Sequence, residues 1–210
     1  MIGEHPEIER FNGLGQLSPA QLLTLFPDRQ SLTVEGLEEA RAAWADVCAP
    51  DPRPLARRAD ASSGQWPWLP GALRRLVEEL PSVSGGLSRT ERQGLEAIGG
   101  GAATLGEAFA ACAAREERVF LGDSSFYAIM RRLQTATTPL ITASSALDGP
   151  SSTRRPRAVA LTDFGRLVLS GRQDHARVNG LDRWVGGVHL HGPSPRWRVT
   201  IDDGRLTIAD

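Results

Sequence analysis

The chain has 210 residues, of which 40% are hydrophobic and 23% charged, and its formal net charge is -1. This composition is that of a globular protein with one large or two small domains. The near-zero net charge excludes a protein that coats nucleic acid over its whole surface. The charge is uneven, however, because residues 88–175 carry 11 Arg against 9 acids, whereas residues 1–87 carry 8 Arg against 12 acids.

The start of the chain differs from a signal peptide, because it carries acids where such a peptide needs positive charge. No apolar run approaches the roughly 18 residues that a membrane span requires. We therefore expect a cytoplasmic protein with no membrane partner.

Residues 1–85 are predicted to form a helical N-terminal region. Ser18 followed by Pro19 is typical of a helix start, and a second helix is predicted from Thr33. Apolar residues recur along the second helix at three- and four-residue steps, so we expect one buried face. The members of this face are Leu37, Ala40, Ala43, Trp44 and Val47.

A further helix is predicted over residues 69–80, with one apolar stripe and four charged residues outside it. Arg74 with Glu78 and Arg75 with Glu79 have the four-residue spacing of helical ion pairs. We interpret these charges as one solvated surface. The Pro, Ser and Gly residues that follow predict the boundary to the next domain.

Residues 86–175 follow the element order of a winged helix-turn-helix. Two capping boxes open at Ser88 and Thr104, each with a Glu three residues later, and predict the starts of two helices. Asp123 is the predicted N-cap of a third helix. Two apolar strands at 139–143 and 157–161 follow, and their connection is the predicted wing.

Five Arg residues of this region are candidates for nucleic-acid binding. In a winged helix the third helix enters the major groove, while guanidinium groups of the wing contact phosphates or the narrow minor groove. The candidates are Arg131, Arg132, Arg154, Arg155 and Arg157. The pattern favours duplex DNA as the partner, and the alternative is a solvent loop that its Arg residues keep soluble.

Residues 176–210 are predicted to form a small β extension. Three short strands, over 180–191, 196–201 and 205–208, fit one antiparallel sheet. Asp203-Gly204 is a favourable two-residue hairpin turn between the last two strands.

His189 and His191 alternate along the first of these strands, so their side chains point to one face, as two metal ligands do. A metal site needs a third ligand, and Asp182 or His175 offers one nearby in the sequence. Two imidazoles without a clear third partner are typical of surface or hydrogen-bonded side chains. We therefore expect no metal and no cofactor, and keep an enzyme or small-ligand binder using Asp182, His189 and His191 as an alternative.

Three Trp residues are candidates for an interaction surface. Trp66 and Trp68 flank a Pro, and such a pair forms a ligand platform or holds a loop against the core. With Trp184 they suggest an alternative function, a protein-interaction or accessory module in which the winged helix mediates formation of a homodimer.

Several segments resemble a bacterial family known only as a domain of unknown function. The segments that carry the resemblance are 13–19, 86–93, 115–117 with 122–126, 161–165 and 180–189. The resemblance covers nearly the whole chain, and it implies that these segments belong together. Members of that family carry an additional N-terminal α/β domain, which the resemblance implies is missing here. No activity follows from it.

The predicted fold class is α+β, with a helical N-terminal region, a winged helix-turn-helix and a small C-terminal antiparallel sheet. No dinucleotide, P-loop, zinc-protease or nucleophile-elbow motif occurs, so we expect a protein without enzymatic activity. The leading functional prediction is a DNA-binding or regulatory module. Salt-dependent binding distinguishes it from a protein-interaction module, since phosphate contacts weaken steeply as salt rises.

Overall fold

The computed structural model describes residues 5, 7, 8, 11, 13–144, 158–200 and 205–208. Helices, short antiparallel strand pairs and connecting turns make up these residues, so the predicted α+β class is confirmed. The predicted single C-terminal sheet is wrong, because the described strands there form two separate pairs. Within the described residues, no helix combines the length and the apolar character that crossing a membrane requires.

The N-terminal part of the fold is helical, as predicted. Its helices are α1 (Pro19–Leu25), α2 (Val34–Cys48), α3 (Arg53–Ala59) and α4 (Leu69–Val77). A capping box begins α1, because the Ser18 hydroxyl accepts from the Gln21 amide while the Gln21 side chain accepts from the Ser18 amide.

The predicted buried face of α2 is confirmed in part, because Ala43 is buried and Ala40 and Val47 are half-buried. Gly36 and Ala43 are the buried residues of this helix, whereas Leu37 and Trp44 are 52% and 69% exposed. The helix meets its surroundings through small residues, and the Gly36 carbonyl accepts a hydrogen bond from the Trp66 indole at 2.9 Å. Leu37 and Trp44 therefore point toward solvent, whereas Val47 packs against the core.

The middle of the chain forms the three helices predicted for it. They are α5 (Arg89–Gly99), α6 (Leu105–Arg115) and α7 (Asp123–Thr135). The predicted N-cap of α7 is wrong by one residue, because Gly122 occupies that position without a side-chain cap and Asp123 lies in the first turn.

Of the two predicted capping boxes, one is complete. The Ser88 amide donates to the Glu91 carboxylate at 2.8 Å, and the Glu91 amide donates to the Ser88 hydroxyl at 3.2 Å. At the second, Thr104 caps the Glu107 amide, but the Glu107 carboxylate accepts from the Ala103 amide instead. Both helices nevertheless begin where the pattern predicts.

A short antiparallel strand pair follows α7 and leads into α8. These elements are β1 (Ile141–Ala143), β2 (Val159–Leu161) and α8 (Asp163–Leu169). The segment between α5 and α6 lies on the other side of β2, because Thr104 forms an antiparallel bridge with Ala158. In addition, the Val159 amide donates to the Ala103 carbonyl at 3.0 Å.

The C-terminal part forms a short helix and two strand pairs. They are α9 (His175–Asn179), β3 (Leu181–Val185) with β4 (Val188–Gly192), and β5 (Trp197–Val199) with β6 (Leu206–Ile208). The predicted first strand is instead the β3–β4 hairpin, because Gly186, with φ of 56°, and Gly187 turn the chain within it. The predicted turn at Asp203-Gly204 lies outside the described residues.

Two apolar cores lie within the described residues. The first is formed within residues 87–168 and includes the fully buried Phe126 and Met130 of α7. The second joins the N-terminal helices to the C-terminal strands, with Leu73 of α4 and Leu190 of β4 among its members. The two ends of the chain therefore stabilise each other by burying a common apolar surface.

Close packing between α8 and the chain entering β1 leads to a prediction about Gly165. A Cβ at this position would lie 2.1 Å from the carbonyl oxygen of Leu140. We expect Gly165→Ala to lower the free energy of unfolding by about 1–3 kcal/mol, because relief of the clash requires movement of the backbone. Urea unfolding followed by circular dichroism measures the loss.

Gly106 in α6 is the matched control, since a Cβ there meets no side-chain atom closer than 3.9 Å. Gly106→Ala is expected to leave stability unchanged or to raise it by up to about 1 kcal/mol, because Ala favours the helix over Gly. Equal losses for Gly165→Ala and Gly106→Ala would contradict the close approach of α8 to the backbone before β1.

Candidate functional site

The helix α7 occupies the place of the predicted third helix and presents one side to solvent. Phe126, Met130 and Leu133 bury its inner side. At about 100° per residue, Arg131 and Thr135 lie on the opposite side, and both are exposed. The structure therefore places Arg131 on the solvent-facing side of α7.

Arg132 lies on a different side of α7, about 100° around the helix from Arg131. Its charge interacts there with the buried Glu91 of α5 and with Arg183 of β3. Burial lowers the pKa of Arg132, Glu91 raises it and Arg183 lowers it, with a net decrease. The two Arg residues of α7 thus point in different directions.

The three remaining candidates, Arg154, Arg155 and Arg157, lie outside the described residues. The residues that flank this segment are described, and the Ser144 amide donates to the Ala158 carbonyl at 3.0 Å. The segment therefore leaves and rejoins the fold at neighbouring positions, next to the β1–β2 pair.

A network of buried side chains joins α4 to α5 and to the end of α6. Arg75 of α4 is 8% exposed and donates to Glu79 at 2.6 Å, to Glu116 at 2.9 Å and to the Thr90 hydroxyl at 2.8 Å. The ring of Phe120 covers this guanidinium group at 3.9 Å. We call Arg75, Glu79, Thr90 and Glu116 the junction network.

The junction network overturns the interpretation of the α4 charges as one solvated surface. Arg75 and Glu79 are buried, and Arg89 binds Glu78 at 2.7 Å. The physical reason is the turn over residues 81–86, which folds the start of α5 back onto the end of α4 and covers these side chains. The spacing of charged residues along one helix cannot predict that another helix buries them.

An open groove of about 670 Å³ runs beside the junction network. Trp68 and Phe120 supply apolar walls, and the paired Arg75 and Glu116 also line it. The Arg118 guanidinium group lies 5.4 Å from the Trp68 ring centre. The sequence analysis missed this groove because its walls come from segments far apart in the chain.

The three Trp candidates have three different environments. Trp66 is partly buried, and its indole N–H bonds the Gly36 carbonyl, which holds the loop before α4 against α2. Trp68 forms a wall of the groove. Trp184 is 64% exposed and stacks on His189, with ring centres 4.4 Å apart.

Asp182, His189 and His191 come together on the exposed face of the β3–β4 hairpin. Asp182 lies directly across from His191, while Trp184 lies across from His189. The Oδ1 atom of Asp182 lies 2.8 Å from Nε2 of His189 and 3.8 Å from Nδ1 of His191. The hydrogen bond from His189 lowers the pKa of Asp182.

A second buried charge cluster lies between α5, α9 and β3. The Glu91 carboxylate lies 3.6 Å from the Arg183 guanidinium group, and His175 at the start of α9 is 5% exposed. Burial raises the pKa of Glu91, but Arg183, His175 and the Ser88 amide lower it more, so it lies below its usual value. The cluster holds Glu91 charged inside the protein.

The junction network predicts a large difference between two neighbouring Arg residues. Arg75→Met leaves the buried Glu79 without its cation and leaves Glu116 with Arg89 alone, so we expect a loss of about 3–5 kcal/mol in the free energy of unfolding. Arg74 is the matched control, since its side chain is 51% exposed and pairs with Asp60. Arg74→Met is expected to cost less than about 1 kcal/mol. Urea unfolding measures both, and a similar small loss for each would contradict the burial of Arg75.

His175 predicts the pH dependence of stability. Burial lowers its pKa, Glu91 and Asp174 raise it, and Arg183 and Arg132 lower it, with a net value below the usual 6.5. Below about pH 6.5 the unfolded chain binds the proton more readily than the folded chain, so stability falls as the pH decreases.

We expect His175→Gln to lose less stability than the wild type between about pH 7.5 and pH 5.5, because the variant has no imidazole to protonate there. Urea unfolding at the two pH values provides the comparison. An equal loss in both proteins would show that other groups determine the acid sensitivity.

No protein-family model, no curated protein and no solved structure matches this chain. The resemblance to a bacterial family therefore stays a prediction.

Proposed function

We propose that residues 86–175 form a winged helix that binds duplex DNA, with α7 in the major groove. The observation that carries the proposal is the bridge between Thr104 and Ala158. It places the α5–α6 connection beside β2, with β1 on the other side of that strand. Three helices followed by a small sheet of this kind support the winged-helix assignment.

The chemistry of the outer side of α7 suits a nucleic-acid groove. Arg131 supplies a guanidinium group, which can form bidentate hydrogen bonds with a guanine edge or a phosphate. Ser124 and Thr135 supply exposed hydroxyls, and Ala128 between them is small and exposed. A helix with short side chains around one Arg can approach DNA closely.

The loop between β1 and β2 supplies the second part of the proposed interface. It carries Arg154, Arg155 and Arg157 between two hydrogen-bonded flanking residues. Guanidinium groups on such a loop bind phosphates or a narrow minor groove. Arg132 is also exposed, but it lies about 100° around α7 from Arg131 and its charge interacts with Glu91 and Arg183, so it belongs to the edge of this interface.

Fluorescence anisotropy with a labelled random duplex tests the proposal. Between about 50 and about 200 mM salt, affinity is expected to fall roughly 150-fold, as for about four phosphate contacts. Combined substitution of Arg154, Arg155 and Arg157 by Ala is expected to reduce the salt slope by about 3, and Arg131→Ala by about 1. Arg57→Ala, at an exposed position of α3, is the matched control and is expected to bind like the wild type.

Two results would contradict the proposal. One is the absence of binding at the lower salt concentration. The other is an Arg57→Ala protein that loses as much affinity as Arg131→Ala, because binding would then reflect total charge and not the outer side of α7.

One observation favours a second candidate function, a protein-interaction module. Eight of the twelve large apolar side chains exposed in the described part of the chain lie between Leu14 and Trp44. Among them Leu23, Phe26 and Trp44 are each more than 60% exposed. Exposed apolar surface of this kind is typical of a protein interface. Binding through it would persist at high salt, unlike binding to DNA.

A further inference from the structure

We propose that Asp182, His189 and His191 form a binding site for a divalent transition-metal ion of the Zn²⁺ class. The three residues lie on one exposed face of the β3–β4 hairpin. Their ligand atoms all lie within 4.8 Å of one another. The inference is independent of DNA binding, because it depends on no residue of α7 or of the β1–β2 loop.

The distances between the ligand atoms suit a small ion. Tetrahedral Zn²⁺, with bonds of about 2.0–2.1 Å, holds its ligand atoms roughly 3.3 Å apart. The carboxylate oxygen of Asp182 lies 2.8 Å from the His189 nitrogen and 3.8 Å from the His191 nitrogen. Small side-chain rotations bring these separations to the required value.

Strand register explains why the three ligands converge. His189 and His191 are two residues apart on β4, so both point to the same face. Asp182 on β3 lies directly across from His191, which supplies the third ligand that sequence spacing alone left undecided. His175, the other candidate third ligand, is buried beside Glu91 and takes no part.

The β3–β4 hairpin packs against the second core on the face opposite the ligands. Its opposite face contributes Leu181, Val188 and Leu190 to the second core. At its tip, the Gly187 amide donates to the Val47 carbonyl of α2 at 2.7 Å. The ligands are therefore preorganised on regular structure and not on a free loop.

The ligand types indicate which ions bind. Two imidazoles with one carboxylate favour Zn²⁺, Ni²⁺ and Cu²⁺ over Mg²⁺ and Ca²⁺, which prefer oxygen ligands throughout. Three protein ligands also leave at least one coordination position open for water or an exogenous ligand. Trp184, stacked flat on His189, fixes the orientation of that ring and gives the site its own fluorescent reporter.

Isothermal titration of the tag-free full chain with ZnCl₂ tests the proposal. We expect one saturable site, and a loss of affinity of about tenfold or more in His191→Ala and in Asp182→Asn. The side chains of these two residues are 72% and 75% exposed, so both variants are expected to fold. Asp60→Asn is the matched control, because the Asp60 side chain is 79% exposed at the end of α3, is not among the proposed ligands, and its substitution makes the same charge change.

A second readout locates the ion. Ni²⁺ quenches indole fluorescence at short range, so we expect saturable quenching in the wild type and its loss in Trp184→Phe, which still binds Zn²⁺. The proposal is overturned by the absence of saturable Zn²⁺ binding, by unchanged affinity in His191→Ala, by an equal loss in Asp60→Asn, or by unchanged quenching in Trp184→Phe.

Discussion

The buried guanidinium group of Arg75 is the constraint on which the rest of this fold depends. A charge removed from water must be paired and hydrogen-bonded, and Arg75 meets this requirement only where Glu79, Thr90 and Glu116 converge. Glu79 follows the end of α4, Thr90 belongs to α5, and Glu116 directly follows α6. One side chain therefore fixes the relative placement of three elements, and with them the contact between the two apolar cores.

The two cores carry different candidate functions. The core within residues 87–168 supports α7 and the β1–β2 pair, on which the proposed DNA interface depends. The second core, shared by the two ends of the chain, supports the hairpin with Asp182, His189 and His191. The cluster of Glu91, His175 and Arg183 also crosses between them, because it joins α5 to α9 and β3. These buried charges and the junction network therefore both connect the DNA interface to the part of the fold that carries the hairpin.

The sequence predicts helix starts correctly, because the residues that determine them are close together in the chain. Capping residues such as Ser18, Ser88 and Thr104 mark helix starts through bonds to amides a few positions away, and the order of helices and strands over residues 86–175 followed from them. Burial could not be predicted where it depends on segments that are distant in the sequence. The apolar stripe of α2 has the period of a buried face, yet Leu37 and Trp44 are exposed, since periodicity identifies a face without identifying what covers it.

The same limit applies to the candidate sites. Arg75 and Glu79 have the spacing of a surface ion pair, and their burial depends on Glu116, far along the chain. Asp182, His189 and His191 could be named as candidates from the sequence. Their convergence depends on the hairpin turn at Gly186, which lies inside a segment predicted to be a single strand. Arg131 and Arg132 are adjacent in sequence and therefore point to different sides of α7, as helical geometry requires.

The most direct test of the central role of Arg75 is whether the two cores unfold together. All five Trp residues lie outside residues 87–168 and Trp197 belongs to the second core, so indole fluorescence follows the part of the chain that forms the second core. Hydrogen exchange of α5 and α7 follows the first core. We expect both signals to give the same urea midpoint in the wild-type chain. Two well-separated midpoints would show that the cores are independent and that Arg75 does not couple them.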